Sequence, residues 1–138
     1  MTDMLSTLAA AARTAAEAAY APYSRFKVGA ALLADDGRVF TGCNVENSSY
    51  GLANCAERTA VFKAVSEGAR RFIAIAIAGG ADEPATPCGA CRQVLAEFCD
   101  PAMTVRCTNL QGTQVRDYTL GELLPGSFRL AKTLISGP

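Results

Sequence analysis

The sequence predicts an α/β protein: a three-layer α/β/α sandwich built on a five-stranded mixed sheet. Three observations carry that expectation. Apolar residues recur at helical spacing in stretches that alternate with short alternating or β-branched runs, the pattern of helices laid on both faces of a sheet. Asp36-Gly37 separates two such runs by a tight turn, so the first two strands form an antiparallel hairpin. Between a strand over Met103 to Thr108 and one over Gln114 to Tyr118 there is no room for a helical crossover, so the last strand runs antiparallel to its neighbour.

The elements follow in order. Leu5, Leu8, Ala9, Ala12, Ala15, Ala16 and Ala19 share one helical face, and Pro22 stops that helix. A face made mostly of alanine lets it approach its partner closely. Lys27 to Ala34 and Arg38 to Val45 are the hairpin strands, and Asn47 to Gly51 is a small, polar loop. Cys55 to Glu67 is a helix with Ala56, Ala60, Val61, Ala64 and Val65 on its buried face and Gly68 as its stop. Phe72 to Ala78 alternates Ile with Ala and reads as a central strand covered on both sides. A loop from Gly79 to Pro87 leads to a helix over Gly89 to Phe98, which Asp100-Pro101 ends. After the last two strands, Thr119 and Glu122 make a capping box for a short helix that Pro125 terminates. The tail from Gly126 to Pro138 holds Phe128 and a weak helical pattern. No linker, repeat or low-complexity tract divides the chain, so residues 1–138 read as one domain.

Composition narrows the function. The 138 residues are 50% hydrophobic and 19% charged, enough for a full core. The 13 Lys and Arg balance the 13 Asp and Glu, which leaves no positive stripe for nucleic acid. A neutral surface suits a small uncharged substrate and favours self-association. No apolar run approaches membrane-spanning length. Asp3, Arg13 and Glu17 interrupt the alanine-rich start, which reads as a helix rather than an export signal, so a cytoplasmic location is expected. With that setting and a full core, metal binding is a better use of the 6 cysteines than disulfides.

Two short stretches carry the chemistry: Asn54-Cys55-Ala56-Glu57-Arg58 and Pro87-Cys88-Gly89-Ala90-Cys91-Arg92-Gln93. Each sits where a loop gives way to a helix. Cys88 and Cys91, three apart at a helix start, can share an ion, and Cys55 begins the other helix. Two strand-to-helix junctions on one edge of the sheet bring such residues together. Three protein ligands leave the fourth tetrahedral position of a zinc ion for water, the catalytic arrangement. A redox Cys-x-x-Cys would leave Cys55 and Glu57 unexplained. The chain has no histidine, and Cys43, Cys99 and Cys107 read as small buried apolar residues.

Three thiolates make an electron-rich zinc, poor at activating water. Two helix N-termini contribute roughly half a positive charge each. Arg58 contributes a guanidinium that can donate to sulfur, and the sum returns the site towards neutrality. Glu57 is the candidate proton carrier between the water and a substrate. Residues at i and i+2 do not share a helical face, so Cys55 must lie at or just before the first turn. Phe26, Asn44 and Glu46 are weak signals alone: a Phe beside a strand is usually core, and Asn and Glu near strand ends are usually solvated.

Taken together, Cys55-Ala56-Glu57 and Pro87-Cys88-Gly89-Ala90-Cys91-Arg92-Gln93 resemble the small, homotetrameric, all-cysteine cytidine deaminases. The resemblance extends over nearly the whole chain, through Pro22-Tyr23-Ser24, Phe26 to Leu32, Gly42-Cys43-Asn44-Val45-Glu46-Asn47, Tyr50-Gly51-Leu52 and Leu123 to Phe128. Thr86, where Ser is common, is a mild departure in a loop. The resemblance implies a cytidine deaminase-like fold, one zinc ion per subunit on Cys55, Cys88 and Cys91, and Glu57 as proton shuttle. It implies that Phe26 stacks on the pyrimidine, that Asn44 and Glu46 bond the ribose hydroxyls, and that main chain around Ala56 and Pro87 reads the base edge. Tyr50 and Phe128 would reach into a neighbouring subunit's site. The implied reaction is hydrolytic deamination of cytidine and 2′-deoxycytidine in pyrimidine salvage, in which activated water adds to C4 while Glu57 protonates N3. A carboxylate at Glu46 suits a neutral sugar and repels a phosphate, which favours nucleosides over nucleotides. The alternatives are a deaminase of a cytosine-nucleoside antibiotic such as blasticidin S, a polynucleotide-editing deaminase, and a non-catalytic zinc-stabilised binding module.

Overall fold

The computed structural model of the protein describes residues 2–130. The rest of the tail, where most of the weak helical pattern falls, lies outside these residues. The first helix, α1, spans Thr2–Ala16 and lays Leu5, Leu8, Ala9 and Ala12 on one face of the sheet, against Ala31, Leu33, Ala74, Ala76 and Ala78. It ends three residues before Ala19, earlier than its apolar spacing suggested. The N–H groups of Glu17, Ala18 and Ala19 turn back to the carbonyls of Thr14, Ala15 and Ala16, the tighter closing turn of a helix end. Tyr20 then pairs as an isolated bridge with Val45, and that pairing wins over one more helical turn.

The sheet has five strands: β1 (Val28–Ala34), β2 (Val39–Cys43), β3 (Phe72–Gly79), β4 (Thr104–Thr108) and β5 (Val115–Thr119), in the order β2-β1-β3-β4-β5. Only β3 and β4 pair in parallel; the β1–β2 hairpin, β1–β3 and β4–β5 are antiparallel. On the second face lie α2 (Ala56–Ser66) and α3 (Gly89–Phe98), where Ala60, Val61, Ala64 and Leu95 pack on Ala30, Leu32, Ile75, Ile77 and Val105. The short helix α4 (Leu120–Leu123) carries the expected capping box: the Glu122 N–H donates to Thr119 Oγ1, and the Thr119 N–H donates to Glu122 Oε1. The two-faced α/β/α architecture is as the sequence predicts.

One expectation needs correction. Cys43 is half-buried rather than enclosed, because it ends β2, an edge strand. Cys99 and Cys107 are buried as expected, and burial pushes each thiol up to about 12.

Two glycines set how closely the helices sit. A Cβ on Gly29 would lie 2.0 Å from the Ala12 carbonyl oxygen and 2.4 Å from the Ala16 nitrogen, so β1 and α1 touch backbone to backbone. A Cβ on Gly42 would lie 2.6 Å from both the Ala56 carbonyl oxygen and the Ala60 nitrogen, which seats α2 on β2 in the same way. Backbone atoms cannot swing aside. Gly29→Ala is therefore expected to destabilise the fold by about 3 kcal/mol, the upper range for overpacking. That corresponds to a fall in Tm of about 10 °C for a domain of this size. Gly51→Ala is the control, since nothing lies within 4 Å of its added carbon. Equal Tm values for the two variants would refute the contact.

Because β2 and β3 are both antiparallel to β1, they point the same way. Their C-terminal ends share one end of the sheet. The chain leaving β2 enters α2 there, and the chain leaving β3 enters α3. The two helix N-termini are thus brought side by side by the strand order alone.

Candidate metal centre and active site

Cys55 and Cys88 are the N-caps of α2 and α3, and both have extended backbone with no side-chain capping bond to the helix backbone. Cys91 follows in the first turn of α3. The Sγ atoms of Cys55 and Cys88 are 3.7 Å apart, those of Cys88 and Cys91 are 3.5 Å apart, and all three lie within 4.8 Å of one another. Sulfurs held tetrahedrally at about 2.3 Å from one zinc ion stand about 3.8 Å apart. The separations fit that ion and exclude a disulfide, whose sulfurs bond at about 2 Å. Among the described residues this is the one cluster of His, Cys, Asp or Glu able to hold a metal.

Electrostatics agree with the geometry. Cys55 is drawn down to about 5, first by its hydrogen bond with Cys91 and then by Arg58, whose Nη2 donates to Cys55 Sγ at 3.4 Å. Cys91, buried and sharing that bond, is shifted the other way. Arg58 is held more firmly protonated by Cys55. Its Nε is buried without a hydrogen-bond partner, the one such side-chain nitrogen or oxygen among the described residues. The guanidinium therefore has donor capacity in reserve beside the sulfurs. This is the charge compensation that three thiolates demand.

Glu57, in the first turn of α2, is 4% exposed. Burial lifts its carboxyl to about 7, and the Cys55 sulfur adds to the rise while Arg58 opposes it. The N-cap placement of Cys55 resolves the spacing problem. Cys55 stands off the helix in extended conformation, so its sulfur and the Glu57 carboxylate reach the same space. Both line a cavity of about 300 Å³ together with Phe26, Asn44, Glu46, Ala56 and Cys88.

The remaining expected residues divide into two groups. Phe26, half exposed, lies at the cavity. Asn44 lines it too, but its amide is engaged with main chain: Oδ1 accepts from the Val28 N–H at 2.8 Å, and Nδ2 donates to the Phe26 carbonyl at 2.8 Å. It retains one hydrogen and one lone pair. Glu46 accepts from the Tyr23 N–H at 3.0 Å and the Ser24 N–H at 3.2 Å, and the Ser24 hydroxyl donates to its other oxygen. Those bonds, the hydroxyl's first, hold its carboxyl below the usual range and keep it ionised. Tyr50 and Phe128 lie outside this cavity, 80% and 70% exposed. Tyr50 lines an adjoining hollow of about 330 Å³ that shares Ser24 and Glu46, and it stacks edge-on with Tyr23 at 6.4 Å.

Sequence reasoning assigned no role to Ser24, Ile77 or Ala85, which also line the cavity. Ser24 carried a signal in the Pro22-Tyr23-Ser24 run; Ile77 and Ala85 carried none beyond apolarity.

The cytidine and deoxycytidylate deaminase zinc-binding region matches residues 3–107. The cytidine deaminase of Sporosarcina psychrophila is 56% identical over 121 residues, 88% of this chain and 88% of its own. That of Halalkalibacterium halodurans is 59% identical over 114 residues, 83% and 86% of the two chains. Among solved structures, the cytidine deaminase from Burkholderia pseudomallei superposes with a TM-score of 0.85 at 57% identity, covering 89% of this chain and 98% of that one. The metal that the sulfur cluster takes is zinc. With its family model matched across both helix N-termini and its fold and sulfur cluster in agreement, the chain belongs to the cytidine and deoxycytidylate deaminase family.

Proposed function

We propose that the protein is a zinc-dependent hydrolase that converts cytidine and 2′-deoxycytidine to uridine and 2′-deoxyuridine with release of ammonia, in cytoplasmic pyrimidine salvage. The observation that carries this reading is the buried Glu57 carboxyl beside three convergent thiols in a cavity with no lysine or arginine among its lining residues. Zinc bound to Cys55, Cys88 and Cys91 supplies Lewis acidity and lowers the pKa of water. The chain's own groups do the rest. Phe26 lies against the pyrimidine and orients it. Asn44 and Glu46 take the ribose hydroxyls with their remaining bonding capacity. The main chain around Ala56 and Pro87 meets the base edge. Glu57, poised near 7 by burial, accepts a proton from water and gives it to N3, then takes the second proton from the hydroxyl now on C4 and delivers it to the exocyclic amine. In balance, the water's oxygen joins C4, the C4–N4 bond breaks, and ammonia leaves.

The lack of a lysine or arginine in the cavity lining and the charged Glu46 support nucleosides over nucleotides, because a phosphate beside the ribose would meet a like charge. The antibiotic-deaminase alternative is not favoured: two relatives that match over most of both chains at more than half identity are cytidine deaminases. A non-catalytic module is at odds with a carboxyl buried beside the cluster. No helix among the described residues is long and apolar enough to cross a membrane. Residues 1–138 act as one domain and assemble as a homotetramer, in which Tyr50 and Phe128 complete a neighbour's site. Their exposure supports this reading.

The test follows the loss of cytidine's ultraviolet absorbance with purified protein. Turnover is expected to stop on chelation and return with zinc, and cytidine monophosphate is expected to be left intact. Turnover that survives complete zinc removal would overturn the reading.

A further inference from the structure

The residues just after the Cys88–Cys91 pair are not used by the chemistry above. Arg92 lies one position beyond Cys91 in the first turns of α3, half-buried, yet its side chain does not enter the cavity lining. Its guanidinium spans two carbonyls from separate parts of the chain. Nε donates to the Pro87 carbonyl at 2.7 Å, and Nη1 donates to the Leu123 carbonyl at 2.8 Å. Pro87 is fully buried and immediately precedes Cys88. Leu123 is the last residue of α4, whose final carbonyls have no helical partner of their own. The next side chain, Gln93, donates through Nε2 to the Phe128 carbonyl at 3.0 Å. The ligand-bearing loop and the segment from Leu123 to Phe128 are therefore joined through two consecutive side chains of α3.

We propose that Arg92 is a positioning residue that couples the grip on the metal to the order of the C-terminal segment. The reasoning is geometric. Cys88 is an N-cap whose side chain makes no capping bond to the helix backbone, and its own backbone is extended. What fixes the peptide ahead of it is the bond from Arg92 to the Pro87 carbonyl. A guanidinium is a rigid planar fork, so its hold on Pro87 is referenced to Leu123 and not to a mobile stem. Any displacement of α4 is transmitted to the peptide that orients the Cys88 sulfur. By reciprocity, an ion that holds Cys88 in place stiffens the segment beyond Leu123. A lysine could reach one carbonyl but not bridge both.

This inference rests on the zinc reading of the same site, and the experiment separates the two. Zinc-loaded protein is mixed with a chromophoric chelator, and release is timed for wild type, Arg92→Ala, Arg92→Lys and Arg129→Ala. Arg129 also ties the tail to α3, through the Cys99 carbonyl, but not to the ligand loop. Removing a partner that orients a metal ligand typically costs about 10- to 100-fold in metal affinity. Release is expected to quicken by about that factor in Arg92→Ala, by less in Arg92→Lys, and not at all in Arg129→Ala. The visible bands of the cobalt-substituted protein are expected to shift in both Arg92 variants. Hydrogen exchange over residues 123–129 is expected to quicken on chelation in wild type and to ignore the metal in Arg92→Ala. If Arg92→Ala does not fold, Arg92→Lys carries the same comparison. Release at the wild-type rate in the Arg92 variants, or equal quickening in Arg129→Ala, would overturn the inference and leave the enzyme reading standing. Wild-type protein that takes no zinc would overturn both.

Discussion

Glu57→Gln is expected to retain zinc and to lose at least about 10²-fold in kcat, the usual contribution of a positioned acid or base. The substitution keeps the size and shape of the side chain, and the three sulfurs are untouched, so metal content should equal that of wild type by elemental analysis. What disappears is a group able to hold a proton and give it up near neutrality. Burial brings the Glu57 carboxyl to about 7, which lets it exchange a proton near neutral pH. An amide has no such pair of forms. The loss corresponds to about 2.7 kcal/mol in the barrier. Because the proton is moved only during reaction, kcat should fall far more than KM rises. Undiminished kcat with full zinc would remove Glu57 from its role.

Cys88→Ala is expected to abolish zinc binding and, with it, turnover. Cys88 is the exposed member of the cluster, whereas Cys91 is fully buried. Removing the Cys88 sulfur therefore opens no core cavity, and the effect can be read as ligand loss rather than unfolding. Cys55 and Cys91 alone leave half of a tetrahedral shell to solvent. The consequence extends to stability, since an ion bound only by the folded chain stabilises it by about 4 kcal/mol at a thousandfold excess over Kd. Added zinc should raise the Tm of the wild type and leave that of Cys88→Ala unmoved. Stoichiometric zinc in the variant would refute the ligand assignment.

Much of this arrangement is legible in the residues because local chemistry dictates it. Asp36-Gly37 and the short 109–114 connection determine which strands return antiparallel, and the alternation of Ile with Ala marks β3 as central. The Thr119–Glu122 box forms as its spacing requires. The cluster is legible too, since a helix start places residues three apart on one side. What escapes is set by contacts distant in sequence. The end of α1 is decided by Val45, which pairs with Tyr20 from another part of the chain. Ser24 holds Glu46 across 22 positions, and no local pattern announces such a partner. Arg92 looks like one more charge on a short helix until the fold brings Pro87 and Leu123 to either side of it. Tyr50 lines a hollow beside the cavity and Phe128 lies exposed outside it, placements that no local pattern announces.

The contact at Gly42 has a consequence for catalytic precision. The oxygen and nitrogen that bar a side chain there belong to Ala56 and Ala60, the first turns of the helix that presents Cys55 and Glu57. A single methyl group on that strand would push the helix bodily outward, and the carboxyl would ride with it. Errors of about 1 Å in reactive alignment can cost about two orders of magnitude in rate. The bare backbone at position 42 thus works as a gauge block: the thickness of a missing side chain sets how closely the start of α2, with Cys55 and Glu57, seats on the sheet.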